Sequence, residues 1–184
     1  MDMEIKLNIK NEHLFRFLDF LFEKQDGKFI VSQNKDFGRL LCSYFKRSEF
    51  PVPFVEEKHC ATFILPKTNH IERIAEKYYL YFDKFDIHRL NMALKAESDI
   101  DFKLYYVNGR FQGFRQKDII EAYINSRRLL FGLDLHETIK KRTYREEEKN
   151  LQIIRKILQD KCELINKNIA KQINTDINNL ISNS

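Results

Sequence analysis

Hydrophobic and polar positions change period along this chain, and the changes mark its elements. Met3 to Ile9, MEIKLNI, alternates and predicts a short strand. Asn11 then stands where a helix N-cap belongs, ahead of Leu14, Phe15, Leu18, Leu21 and Phe22 at helical spacing. Gln25-Asp26-Gly27 punctuates the sequence, and KFIVS at 28–32 predicts a strand entered from that turn. A second helix fits Asn34 to Arg47, with Phe37, Leu40, Leu41, Tyr44 and Phe45 on one side, and Pro51 and Pro53 end it. Ala61–Leu65 has strand length and stops at Pro66. The aromatic run YYLYF (78–82) predicts a further strand, antiparallel to Ala61–Leu65, with a loop or short helical turn between them. KFIVS adds a third strand, and the first two helices cover this small sheet.

From Asp83 onward the period is helical. Asp83 or Asp86 caps IHRLNMALKAE, whose apolar members are Ile87, Leu90, Met92 and Leu94. Ser98 then starts a separate helix, SDIDFKLYYV, with Asp101 three residues on at the spacing of a capping box. Gly109 and Gly113 flank a turn. The helix QKDIIEAYINSRRLLF follows, with Ile119, Ile120, Tyr123, Ile124 and Leu130 inward, and Gly132 stops it. No proline or glycine interrupts Asp134 to Lys171, which predicts one long helix or two nearly continuous ones. The Asn-rich end, QINTDINNLISNS, is expected to fray. The fold class is α+β: a helix-rich single domain with a small antiparallel sheet and a long C-terminal helix. Its parts are a compact body over 1–133, an extended helix over 134–171 and a frayed tail over 172–184.

Composition narrows the function. A chain of 184 residues supplies one well-packed domain. The net charge of +5 points toward phosphate, yet basic and acidic residues number ten and ten in 1–66, twelve and nine in 67–133, and ten and eight in 134–184. An excess spread this way is first of all a solvated surface. Cys42, Cys60 and Cys162 are odd in number, far apart and without a CxxC pair, as free thiols in a reducing compartment would be. The N-terminus MDMEIKLNIKNE lacks the basic and apolar regions of a signal peptide. No apolar run reaches the roughly 20 residues needed to span a bilayer. The expectation is a cytoplasmic protein without a membrane partner, found in host cytoplasm or virion if phage-encoded. Abundant Lys, Asn, Ile and Phe beside sparse Gly and Pro also fit an AT-rich coding genome.

Three constellations carry candidate chemistry. The helix ending SRRLLFG, a short turn and then HETIKKRTYR have a helix-turn-helix-like outline. In it Arg127 and Arg128 hold phosphates while Lys140, Lys141, Arg142 and Arg145 face a duplex. Against this, Glu146, Glu147 and Glu148 follow at once and repel phosphate, so a solvated helix laced with ion pairs accounts for the same residues. The second constellation is YYVNGRFQGFRQK (105–117). Tyr105, Tyr106, Phe111 and Phe114 interleave with Arg110, Arg115 and Lys117, the mix that stacks unpaired bases and holds a strand. The competing reading makes those aromatics core residues at two helix ends. The third is the apolar stripe Ile154, Leu158, Cys162, Ile165, Ile169, Ile173 and Ile177, with a mean spacing of about 3.8 residues. It needs a partner surface, either the body or another subunit, with Ile154, Leu158, Ile165, Ile169 and Ile173 as the oligomerisation residues.

Catalytic patterns are missing from the sequence. His13, His59, His70, His88 and His136 form no HxH, HExxH or Cys/His metal spacing, and GRFQGF lacks the Lys-Ser/Thr of a phosphate-cradling loop. Asp99 and Asp101 suit a helix start better than a metal pair, and Cys42 on an apolar helix face suits the core. The expectation is no enzyme, no metal and no cofactor. The succession ATFILP (61–66), KYYLYFDKFDIHRLNMALKA (77–96), GFRQKDIIEAYINSRRLL (113–130) and ETIKKRTYR (137–145) resembles uncharacterised small proteins of phages and mobile elements of gut anaerobes. That resemblance spans roughly residues 60–145, implies a phage or mobile-element product and transfers no functional residue. The leading expectation is a non-enzymatic nucleic-acid-binding or accessory protein, with DNA or RNA as partner and a homo-oligomer formed through the terminal helix. The alternative is a structural or adaptor protein, for example a virion component, whose C-terminal helix docks on another subunit.

Overall fold

A computed structural model of the chain describes residues 3–129 and 148–182. It divides into two compact units, Met1–Leu133 and Asp134–Ser184. The first contains β1 (Glu4–Asn8), α1 (Glu12–Leu21), β2 (Lys24–Gln25), β3 (Lys28–Ile30), α2 (Asp36–Tyr44), β4 (Lys46–Ser48), β5 (Cys60–Ile64), α3 (Asn69–Ala75), β6 (Tyr79–Tyr81), α4 (Lys84–Phe111) and α5 (Gln116–Ser126). The second contains α6 (Glu148–Ser182). The architecture is α+β, helix-rich, with a long C-terminal helix, as the pattern predicts.

The sheet follows from alternation. On β1, Ile5 and Leu7 turn inward while Glu4 and Lys6 face out; on β5, Ala61 and Phe63 turn inward. Phe63 is the hub of the core, with the rings of Phe29, Phe22 and Phe37 centred 5.5, 6.0 and 6.5 Å away. Leu14, Phe17, Leu18 and Leu21 of α1 and Phe37 and Leu41 of α2 complete it. Burying each such side chain contributes roughly 1.5–3 kcal/mol. The strand order is β1-β5-β3-β2.

Two details correct the expected sheet. It is mixed rather than wholly antiparallel, because β3 runs parallel to β5, with Phe29 opposite Phe63. A parallel pair needs a long crossover, and α2 with the segment after it supplies one. The aromatic strand β6 does not join β5. It pairs antiparallel with β4, whose Lys46–Ser48 the sequence places at a helix end. The expected turn before β3 is present as a two-residue hairpin, with Asp26 and Gly27 both at positive φ (50° and 77°).

The helical half also differs. α4 runs unbroken for 28 residues through Ser98, where the capping-box spacing predicts a new start. A tertiary partner takes the Asp101 carboxylate instead, which accepts from Arg127, while the Ser98 backbone carbonyl accepts from Tyr123 Oη. Asp83 is the true N-cap, its side chain accepting from the Asp86 backbone N–H at 2.8 Å. Gly109 lies inside the helix rather than at a turn. A Cβ there would come within 2.8 Å of the Ile119 side chain, so the glycine lets α5 pack tightly on α4. α5 ends at Ser126 with Arg127 as its C-cap; the expected stop at Gly132 lies outside the described residues.

Asn91, 9% exposed, ties α4 to the sheet. Its Nδ2 donates to the Asn8 carbonyl at 2.9 Å, and its Oδ1 accepts from the Lys10 N–H at 2.8 Å. In the second unit, α6 is helical to Ser182, so 172–182 is helix where a frayed tail is expected. Of the expected start, 134–147 lies outside the described residues.

Candidate protein-interaction surface

Of the predicted phosphate contacts, Arg127 is built into the body. Arg127 Nε and Nη2 donate to Asp101 Oδ2 and Oδ1 at 2.8 and 2.9 Å, a bidentate fork. Its guanidinium lies 4.0 Å from the Phe20 ring centroid, with the Tyr105 and Tyr123 rings at 5.2 and 5.4 Å. Asp101 raises the Arg127 pKa, and burial, reinforced by the Asp101 charge, pushes the Tyr123 hydroxyl well above its ordinary value. Arg127 therefore clamps α5 to α4. Arg128 follows it at φ 54° and is exposed.

The other described cations have partners within their own segments. Arg115 pairs with Asp118 at 2.9 Å and Lys117 with Glu121 at 3.7 Å, both along α5. Arg110 Nη1 donates to the Phe114 carbonyl at 3.0 Å. Lys140, Lys141, Arg142 and Arg145 lie outside the described residues. The aromatics of 105–117 divide: Tyr106 is fully buried and Tyr105 packs edge-on against Tyr123, whereas Phe111 and Phe114 are exposed. No continuous stacking platform is formed by these four.

Among the described residues, burial shifts two of the thiols and one histidine. Burial pushes the thiols of Cys42 and Cys60 up, away from the thiolate form a nucleophile needs. Burial also lowers the His13 pKa, favouring the uncharged imidazole. Among the described residues no cluster of three His, Cys, Asp or Glu is placed to hold a metal ion. A surface cleft of about 1020 Å³ opens between the start of β1 and the α3–β6 segment. Glu4, Glu72 and Glu76 on its wall outnumber Lys77, a poor setting for phosphate. Among the described residues no helix is long and apolar enough to cross a membrane.

No family model, curated protein or solved structure matches this chain.

What the body does present is an apolar helix face. α4 buries Leu90, Leu94, Phe102 and Tyr106 on one side. On the other, Met92, Ile100 and Leu104 are 54%, 58% and 61% exposed, with Ala96 exposed in the same i, i+4 row. Phe85 and Phe111 extend the row to both ends of the helix and are also exposed. From residue 85 to 111 the row spans about 39 Å at a helical rise. The sequence pattern contained this row, but the expected break at Ser98 cut it in two and left Met92 grouped with Ile87, Leu90 and Leu94.

The predicted oligomerisation residues share one element. Ile154, Leu158, Ile165, Ile169 and Ile173 all lie exposed on α6, at 39% to 56%. Cys162, in the same stripe, is exposed as well.

Proposed function

We propose that this protein works by assembly rather than catalysis, as a structural or adaptor component, such as a virion component of a phage or mobile element. The observation that carries the reading is the exposed Met92–Ala96–Ile100–Leu104 row on α4. A soluble helix ordinarily presents polar residues opposite its core stripe, and large contiguous apolar patches mark interaction sites. α4 is already held by its inner face, so a partner meets a preformed surface and less order is lost on binding. Arg89 and Lys95, exposed beside the row, suit an amphipathic helix with an acidic rim on another subunit. The stripe on α6 supplies a second surface for the same purpose.

The test uses the full chain and an Ile100→Glu/Leu104→Glu variant as baits in lysate of the producing cell, with duplex DNA titrated at several salt concentrations. Both side chains are exposed, so the variant should melt like the parent. The expected result is a protein partner held by the parent and lost by the variant, without strongly salt-dependent DNA binding. Identical capture by both baits, together with DNA affinity that falls steeply as salt rises, would overturn the reading in favour of phosphate contact.

A further inference from the structure

We propose that Phe50–Val55, in the connection from β4 to β5, is a docking element: a polyproline II helix that seats in an aromatic-lined, basic-rimmed groove on another protein. Pro51 and Pro53 fix φ at roughly −65° and have no N–H to donate. Phe50 and Val52 each precede a proline, which turns them from helical toward extended backbone. From Pro51 to Phe54 the chain takes part in no backbone–backbone hydrogen bond among the described residues. A polyproline II helix, which has no internal bonds, leaves its backbone in this state.

Three residues per turn fix what each edge shows. Phe50 and Pro53 share one edge, Val52 and Val55 a second, and Pro51 and Phe54 the third. Phe50 and Val55 are 74% and 81% exposed, and Val52 and Pro53 are exposed with them. Phe54 is half-buried. The segment thus rests on the body through Phe54 and turns two apolar ridges outward. Its ends are tied down. Ser48 Oγ accepts from the Phe50 N–H at 3.2 Å, Asn8 Nδ2 donates to the Val55 carbonyl at 2.8 Å, and Asn8 Oδ1 accepts from the Glu57 N–H at 3.2 Å. Lys6 also pairs with Glu56. Little order is left to lose on binding.

Shape and charge name the partner. Grooves that receive this helix are lined with aromatic rings. Glu49 and Glu57 flank the ridges, exposed and without an ion pair among the described residues, so the receiving rim is basic. A second copy of this chain is a poor host, because Glu4, Glu72 and Glu76 on its cleft wall oppose the same charges. This surface is not the α4 row, so its failure leaves the assembly reading standing.

Photo-cross-linking in the producing cell reads the contact. A benzophenone amino acid replaces Val55 in the full chain, and linked peptides are mapped by mass. The expected result is one partner protein, linked at a peptide that carries Tyr or Trp beside Arg or Lys. With Pro51→Ala/Pro53→Ala added, the yield should fall about tenfold, because those residues must then be ordered on binding. Both prolines are exposed, and circular dichroism should show the parent's fold. A separate Glu49→Lys/Glu57→Lys variant should also lower the yield, by reversing the charge offered to the rim. Unchanged yield in both folded variants overturns the proposal. So does a link to a second copy, a link to a peptide without an aromatic ring, or no link at all.

Discussion

Replacing Arg127 by alanine should loosen the body itself rather than merely remove a surface charge. The guanidinium makes two charge-assisted hydrogen bonds to Asp101, at 2.8 and 2.9 Å. Deleting one partner of a fully buried pair costs roughly 3–5 kcal/mol, whereas an exposed pair is worth roughly 0–1. Arg127 and Asp101 lie between these limits, with side chains 15% and 24% exposed, so about 2 kcal/mol is the discounted figure. Stacking on Phe20 at 4.0 Å adds about 1 kcal/mol. The loss is then about 3 kcal/mol, or on the order of 10 °C in Tm for a chain of this size.

Urea unfolding followed by circular dichroism, on the parent, Arg127→Ala, Asp101→Ala and the double variant, separates these parts. The coupling energy should be about 2 kcal/mol, and Arg127→Lys should recover less than half of the loss because an ammonium cannot form the fork. Suppose instead that Arg127→Ala unfolds within about 0.5 kcal/mol of the parent and the coupling vanishes. The clamp would then be wrong, and Arg127 would be available to phosphate after all.

Two further outcomes follow from the fold. Asn91→Ala leaves the Lys10 N–H and the Asn8 carbonyl without their partner; at about 1–3 kcal/mol for each stranded group, a loss of about 3 kcal/mol in urea unfolding is expected, and a change below about 0.5 would reject the bridge. Lys46 beside Asp83, helped by the Asp86 N–H, holds the Asp83 carboxyl at about 2 against an ordinary 3.8. A depressed folded pKa contributes stability present above about pH 4 and lost as pH falls toward 2. Asp83→Asn keeps a capping acceptor but not the charge, so its Tm should fall less steeply across that window, and parallel curves would count against the ion pair.

Much of the body was legible because its signals are local. The alternation of Ile5 and Leu7, the Asp26-Gly27 turn and the cap at Asp83 each act within a few residues, and each appears where the pattern puts it. What was not legible depends on partners distant in sequence. Lys46-Arg47-Ser48 carries no apolar alternation, and only pairing with Tyr79–Tyr81 makes it a strand. Ser98 and Asp101 look like a helix start until Arg127 arrives from 26 residues away to take the Asp101 carboxylate. The same event removes Arg127 from the candidate site. Gly109 reads as a turn because nothing near it reveals Ile119 overhead.

The net charge of +5 takes a different meaning on this structure. Binding of a polyanion requires cations whose counterions can be released together, but Arg115 and Lys117 are neutralised along α5 and Arg127 is neutralised inside the body. The cations on α6, in turn, lie largely behind the apolar stripe by helical spacing. Charge in that position keeps the polar faces hydrated and sets like against like wherever a wrong face approaches. It leaves the apolar rows of α4 and α6 as the surfaces that gain by contact. On the proposed assembly reading, the basic residues govern which faces meet, while burial of isoleucine and leucine supplies the driving force.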